Sequence, residues 1–357
     1  MKRILILTAS YGEGHNAAAR GIRDGLARVA PEAEVEIRDL FAETFGQFNQ
    51  LVRRSYLGLI NRWPRAWGHV YRWLDQKQDF EKRFARFHKT KQNLGRLLES
   101  FQPDAIASVF PAYPYLLQQV SGSPRKYKSV VVVTDSITVN AIWYRCQADY
   151  WLLPNEQSTG LVRAEIPDDR IKTFGFPVNP KFVDCPENRS LENQKPRVLY
   201  MINAGTGAAP GIVRRLLDLD IQLTVTVGRD EKLRRAIENV SRGRKIEIVG
   251  WTDRMPELLC SSHVLIGKAG GATVQETIAA KCPMIISHVV SGQEEGNARL
   301  VVETNSGAIA LSPDEVITQV KRAFANGGNQ WREWYSNISR ISRPRASIEI
   351  AEFLMSI

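Results

Sequence analysis

Continuously apolar runs alternate with stretches of helical periodicity in the first half of the chain. The run from Ile4 to Leu7 has no polar interruption, which is typical of a strand covered on both faces. A helical pattern follows from about Asn16 to Val29. The predicted strands cover residues 4–8, 34–38, 105–109, 129–134 and 151–154. This alternation predicts a parallel sheet with helices on both faces.

The alternation restarts after a break that excludes helix. Two prolines, Pro177 and Pro180, stand in this break, and residues 184–195 are polar. Beyond it, strands are predicted at 197–202, 221–227, 245–249, 264–266 and 284–287, with helices at 212–217 and 231–240. We therefore predict an α/β protein with two Rossmann-like, doubly wound domains. The predicted boundaries are 1–176 for the N-terminal domain, 177–196 for a linker, 197–335 for the C-terminal domain, and 336–357 for a helix that packs back on the N-terminal domain.

Residues 51–96 interrupt this alternation and are predicted to be helical, within an insertion at 45–100. They carry 12 Lys and Arg against three acidic residues. Their eight aromatic residues are Tyr56, Trp63, Trp67, Tyr71, Trp73, Phe80, Phe84 and Phe87. Such a composition suits an anionic membrane surface, but it also suits RNA or helices whose aromatic residues form core. We favour the membrane surface and expect no nucleic-acid partner, because no nucleic-acid-binding motif accompanies the charge.

Composition adds limits on the class of protein. The chain has 357 residues, of which 43% are hydrophobic and 24% charged, and this excludes a disordered, fibrous or polytopic membrane protein. The net charge of +10 favours anionic partners such as nucleotide phosphates. The spacings of the four cysteines (Cys146, Cys185, Cys260 and Cys282) fit neither a metal knuckle nor a redox pair, so we expect a reducing compartment, the cytoplasm.

The first predicted strand leads into a glycine-containing turn at the start of a helix. Gly12, Gly14 and His15 lie there, where backbone N–H groups and the helix dipole favour an anion. The same position disfavours imidazolium, and a neutral His15 suits a general base; a purely capping histidine is the structural alternative. The spacing of Gly12, Gly14 and Ala17, with Asp39 as a ribose acid, also allows an NAD-dependent oxidoreductase.

Three loops of the predicted C-terminal domain carry further candidate chemistry. Residues 203–207 form a glycine turn between a strand and a helix. The loop 267–273 places two adjacent glycines before another helix, which suits a diphosphate. Glu276 follows about one turn inside that helix, where its carboxylate suits ribose hydroxyls, and residues 291–297 group amide and carboxylate side chains that suit a sugar.

These motifs resemble those of a known family. The pattern Gly270-Gly271-x-Thr273-x-x-Glu276, with Pro283 and then Gly292-Gln293-Glu294-Glu295-x-Asn297, resembles the donor site of GT-B glycosyltransferases. Ser10-x-Gly12-x-Gly14-His15 and Gly175-Phe176-Pro177-Val178 resemble the glycosyldiacylglycerol synthase group, which includes monogalactosyldiacylglycerol synthases and bacterial diacylglycerol glucosyltransferases. The C-terminal pattern is also similar to that of the N-acetylglucosamine transferase of peptidoglycan synthesis. The resemblance covers residues 2 to about 310.

The resemblance implies a GT-B fold whose two domains face each other across a cleft, with the acceptor bound by the first and a UDP-hexose by the second. It implies His15 and Asp135 as catalytic residues, Gly12 and Gly14 as the phosphate or acceptor loop, and Asn140 and Trp143 on the acceptor side. The implied donor-binding residues are Gly205, Thr206, Gly250, Met255, Lys268, Gly270, Gly271, Thr273, Glu276, Gln293, Glu294 and Asn297. No metal and no cofactor beyond the donor are expected.

One position departs from the family pattern. The family has a histidine between its Thr-Asp pair and a tryptophan, whereas the segment from Thr134-Asp135 to Trp143 has none and is one residue longer, with Asn140 near the histidine's place. The implied reaction is inverting transfer of a hexose to a lipid hydroxyl, most simply diacylglycerol, at the cytoplasmic face of a membrane. Asn140 leaves another envelope-glycan or lipid-linked acceptor open, and the donor sugar is not specified.

Overall fold

The computed structural model describes residues 1–46, 80–122, 125–137, 139–186, 189–192, 194–290 and 294–357. It divides into two compact units. The first unit contains residues 1–180 and 345–357, and the second contains 181–290 and 294–344. Of the predicted insertion at 45–100, residues 47–79 lie outside the described residues, as do five of the eight aromatic residues of the segment 51–96.

The first unit is built on a six-stranded parallel sheet with strand order β2-β1-β3-β4-β5-β6. Its strands are β1 (Arg3–Leu7), β2 (Glu34–Arg38), β3 (Ala105–Ser108), β4 (Lys128–Val132), β5 (Tyr150–Leu152) and β6 (Ile171–Lys172). Its helices are α1 (Glu13–Val29), α2 (Phe80–Phe84), α3 (His88–Phe101), α4 (Tyr113–Val120) and α5 (Glu156–Val162), together with residues 40–46. The predicted strands are confirmed, but the two-residue edge strand β6 was not indicated by the sequence.

The first helix begins earlier than the sequence pattern suggested. The structure starts α1 at Glu13 instead of about Asn16, so Gly14 and His15 belong to its first turn and not to the preceding loop. Gly12 is the N-cap in an extended conformation, and Glu13 places an acidic side chain in the first turn. A negative charge there interacts favourably with the helix dipole, which explains why the helix extends through residues that we had assigned to the turn.

The second unit repeats the architecture with strand order β12-β11-β10-β7-β8-β9. Its strands are β7 (Arg197–Met201), β8 (Gln222–Gly228), β9 (Glu247–Gly250), β10 (Val264–Lys268), β11 (Met284–His288) and β12 (Gly307–Ile309). Its helices are α6 (Ala209–Leu216), α7 (Glu231–Val240), α8 (Met255–Ser261), α9 (Gly271–Ala279), α10 (Glu295–Glu303), α11 (Pro313–Phe324) and α12 (Asn329–Ile341). Both sheets are entirely parallel, and the doubly wound prediction is confirmed.

A disulfide in the second unit removes the basis on which the cysteine spacings predicted a reducing compartment. Cys185 is bonded to Cys260 on α8, with 5.2 Å between their Cα atoms. Residues 75 positions apart in the sequence are brought together only by the tertiary fold, so their spacing gave no signal. Cys146 and Cys282 remain as thiols.

The last helix, α13 (Ala346–Ser356), belongs to the first unit. It packs on α1, and the Phe353 ring contacts Tyr150 edge-on with 5.0 Å between ring centroids. The sequence placed this helix at 336–357, but α12 continues through Ile341 within the second unit. The chain therefore passes from the first unit to the second and back again.

Gly25 permits the close approach of α1 and α13. A Cβ atom added at Gly25 would lie 2.3 Å from the carbonyl oxygen of Ser347. We expect Gly25→Ala to lower the free energy of unfolding by about 1–3 kcal/mol, because the two helices must separate. Gly95→Ala on α3 is the matched control, since its Cβ would meet nothing within 4 Å; it should raise stability by about 0.5–1 kcal/mol. Calorimetry of both variants tests this, and equal transition temperatures would contradict it.

Candidate active site

The first sheet presents polar side chains where its strand order reverses. The order changes direction between β1 and β3, and open parallel sheets bind ligands beyond the carboxyl ends of strands at such a point. His15 on α1 follows β1, and Thr134 and Asp135 follow β4, the next strand after β3. The structure brings these residues together: His15 Nδ1 lies 3.0 Å from Thr134 Oγ1.

The surroundings of His15 fix its proton. Nδ1 lies 2.9 Å from the carbonyl oxygen of Val109. Because a carbonyl oxygen only accepts, Nδ1 carries the proton and Nε2 carries the lone pair. The ring packs edge-on against Phe110 and tilted against Trp143, at 5.2 and 6.1 Å between centroids. Burial by these neighbours lowers the pKa of His15 to about 4, so the imidazole is a neutral base at physiological pH.

Asp135 is the second ionisable group of this site. Its Oδ2 accepts a hydrogen bond from Trp143 Nε1 at 2.8 Å. Burial raises the pKa of Asp135 to about 6, although the hydrogen bonds from the Trp143 indole and the Asn140 backbone oppose that shift. A carboxyl group with such a pKa changes its charge close to physiological pH. The indole of Trp143 contacts both His15 and Asp135, so the two ionisable groups belong to one site.

Asn140 caps the short helix that carries Trp143. Its Oδ1 accepts the backbone N–H of Ile142 at 3.0 Å and caps the short 3₁₀ helix Ala141–Trp143. That helix carries Trp143, so Asn140 acts on the site by holding the tryptophan. The placement of Asn140 on the acceptor side stays a prediction, and the structure adds this capping role of its Oδ1.

Gly14 in the first turn of α1 and Asp39 after β2 have separable roles. A Cβ added at Gly14 would meet nothing within 4 Å, so the space beside the first turn of α1 is open. Asp39 instead serves the loop itself, because its two carboxylate oxygens accept the backbone N–H groups of Ser10 and Ala42 at 2.8 and 2.9 Å. The structure thus gives Asp39 a structural role where the dinucleotide alternative had placed a ribose ligand.

In the second unit, the order reverses between β10 and β7. Lys268 at the end of β10 forms an ion pair with Glu294, with 2.6 Å between Nζ and Oε1. The side chain of Glu294 is only 7% exposed, and its Oε2 accepts the backbone N–H of Val290 at 3.0 Å. Lys268 therefore neutralises a carboxylate that is almost removed from water, and it does so at the start of the glycine loop.

The glycine loop is supported from α10. Asn297 Nδ2 donates to the carbonyl oxygen of Ala269 at 3.0 Å. A Cβ added at Gly271 would lie 3.6 Å from the same nitrogen, and one added at Gly270 would lie 3.5 Å from Thr273 Oγ1 and 3.9 Å from Glu294 Oε1. The structure thus brings Lys268, Gly270, Gly271, Thr273, Glu294 and Asn297 together around the first turn of α9.

The other donor residues lie along the same edge of the second sheet. Glu276 is half-buried in the second turn of α9. Gly205 (φ +65°) and Thr206 form an exposed turn after β7, which is the neighbour of β10. Gly250 ends β9, the edge strand, and Met255 begins α8. Gln293 lies outside the described residues.

Sequence reasoning did not assign roles to Thr134, Val109 and Val290. Thr134 and the carbonyl of Val109 hold the imidazole, and the backbone of Val290 holds the carboxylate of Glu294. Backbone groups give no sequence signal. The only usable signal was that Val109 and Thr134 each end a predicted strand, where the carboxyl edge of the sheet gathers ligands.

Two family models match the chain. The model described as monogalactosyldiacylglycerol (MGDG) synthase matches residues 15–178, and the glycosyltransferase family 28 C-terminal domain matches residues 204–332. The chain is 28% identical to the chloroplastic monogalactosyldiacylglycerol synthase of Spinacia oleracea, with 99% of this chain and 72% of that protein covered. It is 27% identical to monogalactosyldiacylglycerol synthase 1 of Arabidopsis thaliana, with 98% and 70% covered.

Solved structures share the fold at low sequence identity. MurG of Acinetobacter baumannii matches over 100% of both chains with a TM-score of 0.65 and 13% identity. Os79 from O. sativa, solved in complex with UDP, matches over 99% of both chains with a TM-score of 0.65 and 12% identity. UDP-GlcNAc 2-epimerase of Neisseria meningitidis has a TM-score of 0.61 at 13% identity, over 100% of both chains. The fold is therefore shared with a UDP-GlcNAc 2-epimerase, and the reaction is indicated by the families and not by the fold.

Proposed function

Because this chain belongs to the monogalactosyldiacylglycerol synthase-like glycosyltransferases of family 28 and is a UDP-sugar glycosyltransferase, we propose that it transfers a hexose from a UDP-hexose to the hydroxyl of diacylglycerol. The reaction inverts the anomeric carbon, so an α-linked donor gives a β-glycosyl lipid. The observation that carries this proposal is the neutral imidazole of His15, whose Nδ1 is held by Val109 and whose Nε2 bears the lone pair.

In the proposed step, the acceptor oxygen attacks the anomeric carbon while His15 Nε2 takes the hydroxyl proton. The bond between the anomeric carbon and the diphosphate oxygen breaks, and UDP leaves with that electron pair. An ionised Asp135, held by Trp143, stabilises the positive charge that develops near the imidazole. Both groups come from the first unit, which we assign to the acceptor.

The second unit supplies the groups that hold the donor. The N–H groups at the start of α9 and the ammonium of Lys268 suit a diphosphate and stabilise its developing charge without a metal. The Glu276 carboxylate suits the ribose hydroxyls, and Glu294 and Asn297 suit the hexose. The exposed turn at Gly205 and Thr206 and the segment from Gly250 to Met255 complete the proposed nucleotide site.

We also propose that the protein works at a membrane surface through residues 51–96. Most of that segment lies outside the described residues, and its charge and aromatic content carry the proposal. Of its aromatic residues that the structure describes, Phe80 is buried and packs against Tyr115, so part of the segment is core. No helix among the described residues is long and apolar enough to span a bilayer.

The test is hexose transfer from UDP-glucose and UDP-galactose to diacylglycerol in anionic liposomes. We expect a β-glycosyl lipid, identified by the anomeric proton coupling in NMR. Glu276→Ala should abolish transfer and UDP binding, whereas Glu303→Ala, in an exposed ion pair on α10, should change neither. UDP binding without transfer to diacylglycerol would overturn the acceptor assignment and favour an envelope-glycan acceptor, which the Asn140 departure already allows.

The pH dependence of kcat/KM distinguishes the two ionisable groups. Because the pKa of His15 is about 4, it is already neutral near pH 6, where Asp135 ionises with a pKa of about 6. We therefore expect the rate to rise with pH around a midpoint near 6. In Asp135→Asn the remaining acid limb should move toward pH 4, at a lower plateau. A midpoint that stays near 6 in this variant would show that another group sets the profile.

A further inference from the structure

Six aromatic residues line one side of the His15 site. Tyr11 follows β1, Phe41 and Phe45 lie in the helical residues 40–46 after β2, and Phe110 follows β3. Phe84 ends α2, and Phe87 is the N-cap of α3. We call these six residues (Tyr11, Phe41, Phe45, Phe84, Phe87 and Phe110) the aromatic wall.

The rings of the aromatic wall form an unbroken series of contacts that starts at the proposed base. The Phe110 ring lies 5.2 Å from the His15 ring and 5.8 Å from both Tyr11 and Phe41, measured between centroids. Phe41 contacts Phe87 at 5.6 Å, and Phe87 contacts Phe45 and Phe84 at 6.1 Å each. The series thus leads from His15 along the ends of β1, β2 and β3.

The members of the wall differ in exposure. Phe41 is 3% exposed, while the other five members are only partly buried against the same core cluster. Phe41 lies in the core, whereas the other five rings pack on that core and keep part of their surface exposed at the edge of the sheet where ligands bind. An apolar surface at such an edge suits an apolar part of the ligand.

We propose that the aromatic wall binds the hydrocarbon chain of the acceptor and thereby places its hydroxyl at His15. This inference rests on the proposed function, because it assigns the tail of an acceptor whose reactive hydroxyl meets His15 Nε2. The contact of Phe110 with the His15 ring makes the wall continuous with the reacting group. A tail on the wall therefore starts next to the base, which suits a glycerol-linked acyl chain.

The first test is chain-length dependence, with dihexanoyl-, dioctanoyl- and didecanoylglycerol in detergent micelles. Each methylene that enters an apolar site improves binding by up to about fourfold, so kcat/KM of the wild type should rise along the series. In Phe110→Ala and Phe87→Ala, the ratio of kcat/KM for didecanoylglycerol to that for dihexanoylglycerol should be at least tenfold smaller than in the wild type. The KM for the UDP-sugar should stay within about twofold of wild type. Phe174→Ala is the matched control, because Phe174 is a partly buried ring of the same unit that contacts Phe353.

The second test does not depend on turnover. Diacylglycerol with a diazirine at the end of one acyl chain is photolysed with the protein, and the labelled peptides are mapped by mass spectrometry. Labels on the wall, reduced in Phe110→Leu with unchanged UDP affinity and melting temperature, would support the inference. Transfer to diacylglycerol with labels only elsewhere would overturn the inference and leave the proposed function intact. If UDP binds but neither transfer to diacylglycerol nor labelling of the protein is observed, the diacylglycerol assignment is overturned, and the inference with it.

Discussion

Replacing His15 with glutamine is expected to lower kcat by about 100- to 10,000-fold, the range that loss of a general base produces. Glutamine is similar in size, but its amide nitrogen takes the place of Nε2 and not that of Nδ1, which contacts the carbonyl oxygen of Val109 at 2.9 Å. It has no group that accepts a proton near neutral pH. The affinity for UDP should remain within about twofold of wild type, because the donor residues belong to the second unit. Steady-state kinetics with calorimetric titration of UDP measures both quantities.

Thr134→Val provides the control for orientation without loss of the base. It removes the hydroxyl that lies 3.0 Å from His15 Nδ1 and keeps the bond to Val109. We expect a loss of no more than about tenfold in kcat, since one neutral hydrogen bond contributes about 1 kcal/mol. If His15→Gln retained more than a tenth of the wild-type kcat, His15 would be a structural histidine and Asp135 the base to test.

Among substitutions in the donor site, Lys268→Met is expected to have the largest effect on donor affinity and on the stability of the second unit. Lys268 neutralises the almost buried carboxylate of Glu294 at 2.6 Å, and removing one partner of a buried ion pair costs about 3–5 kcal/mol. The loop also loses the positive charge that suits the diphosphate. We expect the Kd for the UDP-sugar to rise at least about 100-fold and the second unit to melt earlier. Titration and calorimetry measure these effects.

A double variant separates the two contributions. Lys268→Met with Glu294→Gln removes both charges, so the melting temperature should recover while the affinity for the donor stays low. Arg299→Met is the control, because its exposed ion pair with Glu303 contributes about 0–1 kcal/mol. Donor affinity equal to wild type in Lys268→Met would show that the pair only shapes the loop.

The sequence was sufficient for the sheets because buried strands carry long apolar runs. The strand of residues 4–7 and five of the six strands of the second unit follow from that pattern, whereas the short edge strand β12 does not, and their order predicts the edges where ligands bind. The glycine loop before α9 was also visible, since helix starts and glycine pairs are local features. His15 could be selected from the same local reasoning, although its place inside α1 could not.

What remained hidden depends on contacts between residues that are distant in the chain. The Cys185–Cys260 pair, the capping of Trp143's helix by Asn140 and the hold of Val109 on His15 need the folded chain. The direction of each pKa shift likewise follows from burial that only packing creates. The sequence placed Asp39 in a dinucleotide motif for the same reason, because it cannot show that the backbone of Ser10 and Ala42 already uses the carboxylate.

The placement of α13 on α1 has a consequence for biosynthesis. The first unit consists of residues 1–180 and 345–357, so its last helix leaves the ribosome only after the whole second unit. Until then the α1 surface around Gly25, which α13 covers, stays open to water. Vectorial synthesis therefore allows the second unit to fold before the first is complete. A fragment ending at Pro180 would lack the helix that closes its own core, so the first unit can be completed only after the second unit has been synthesised.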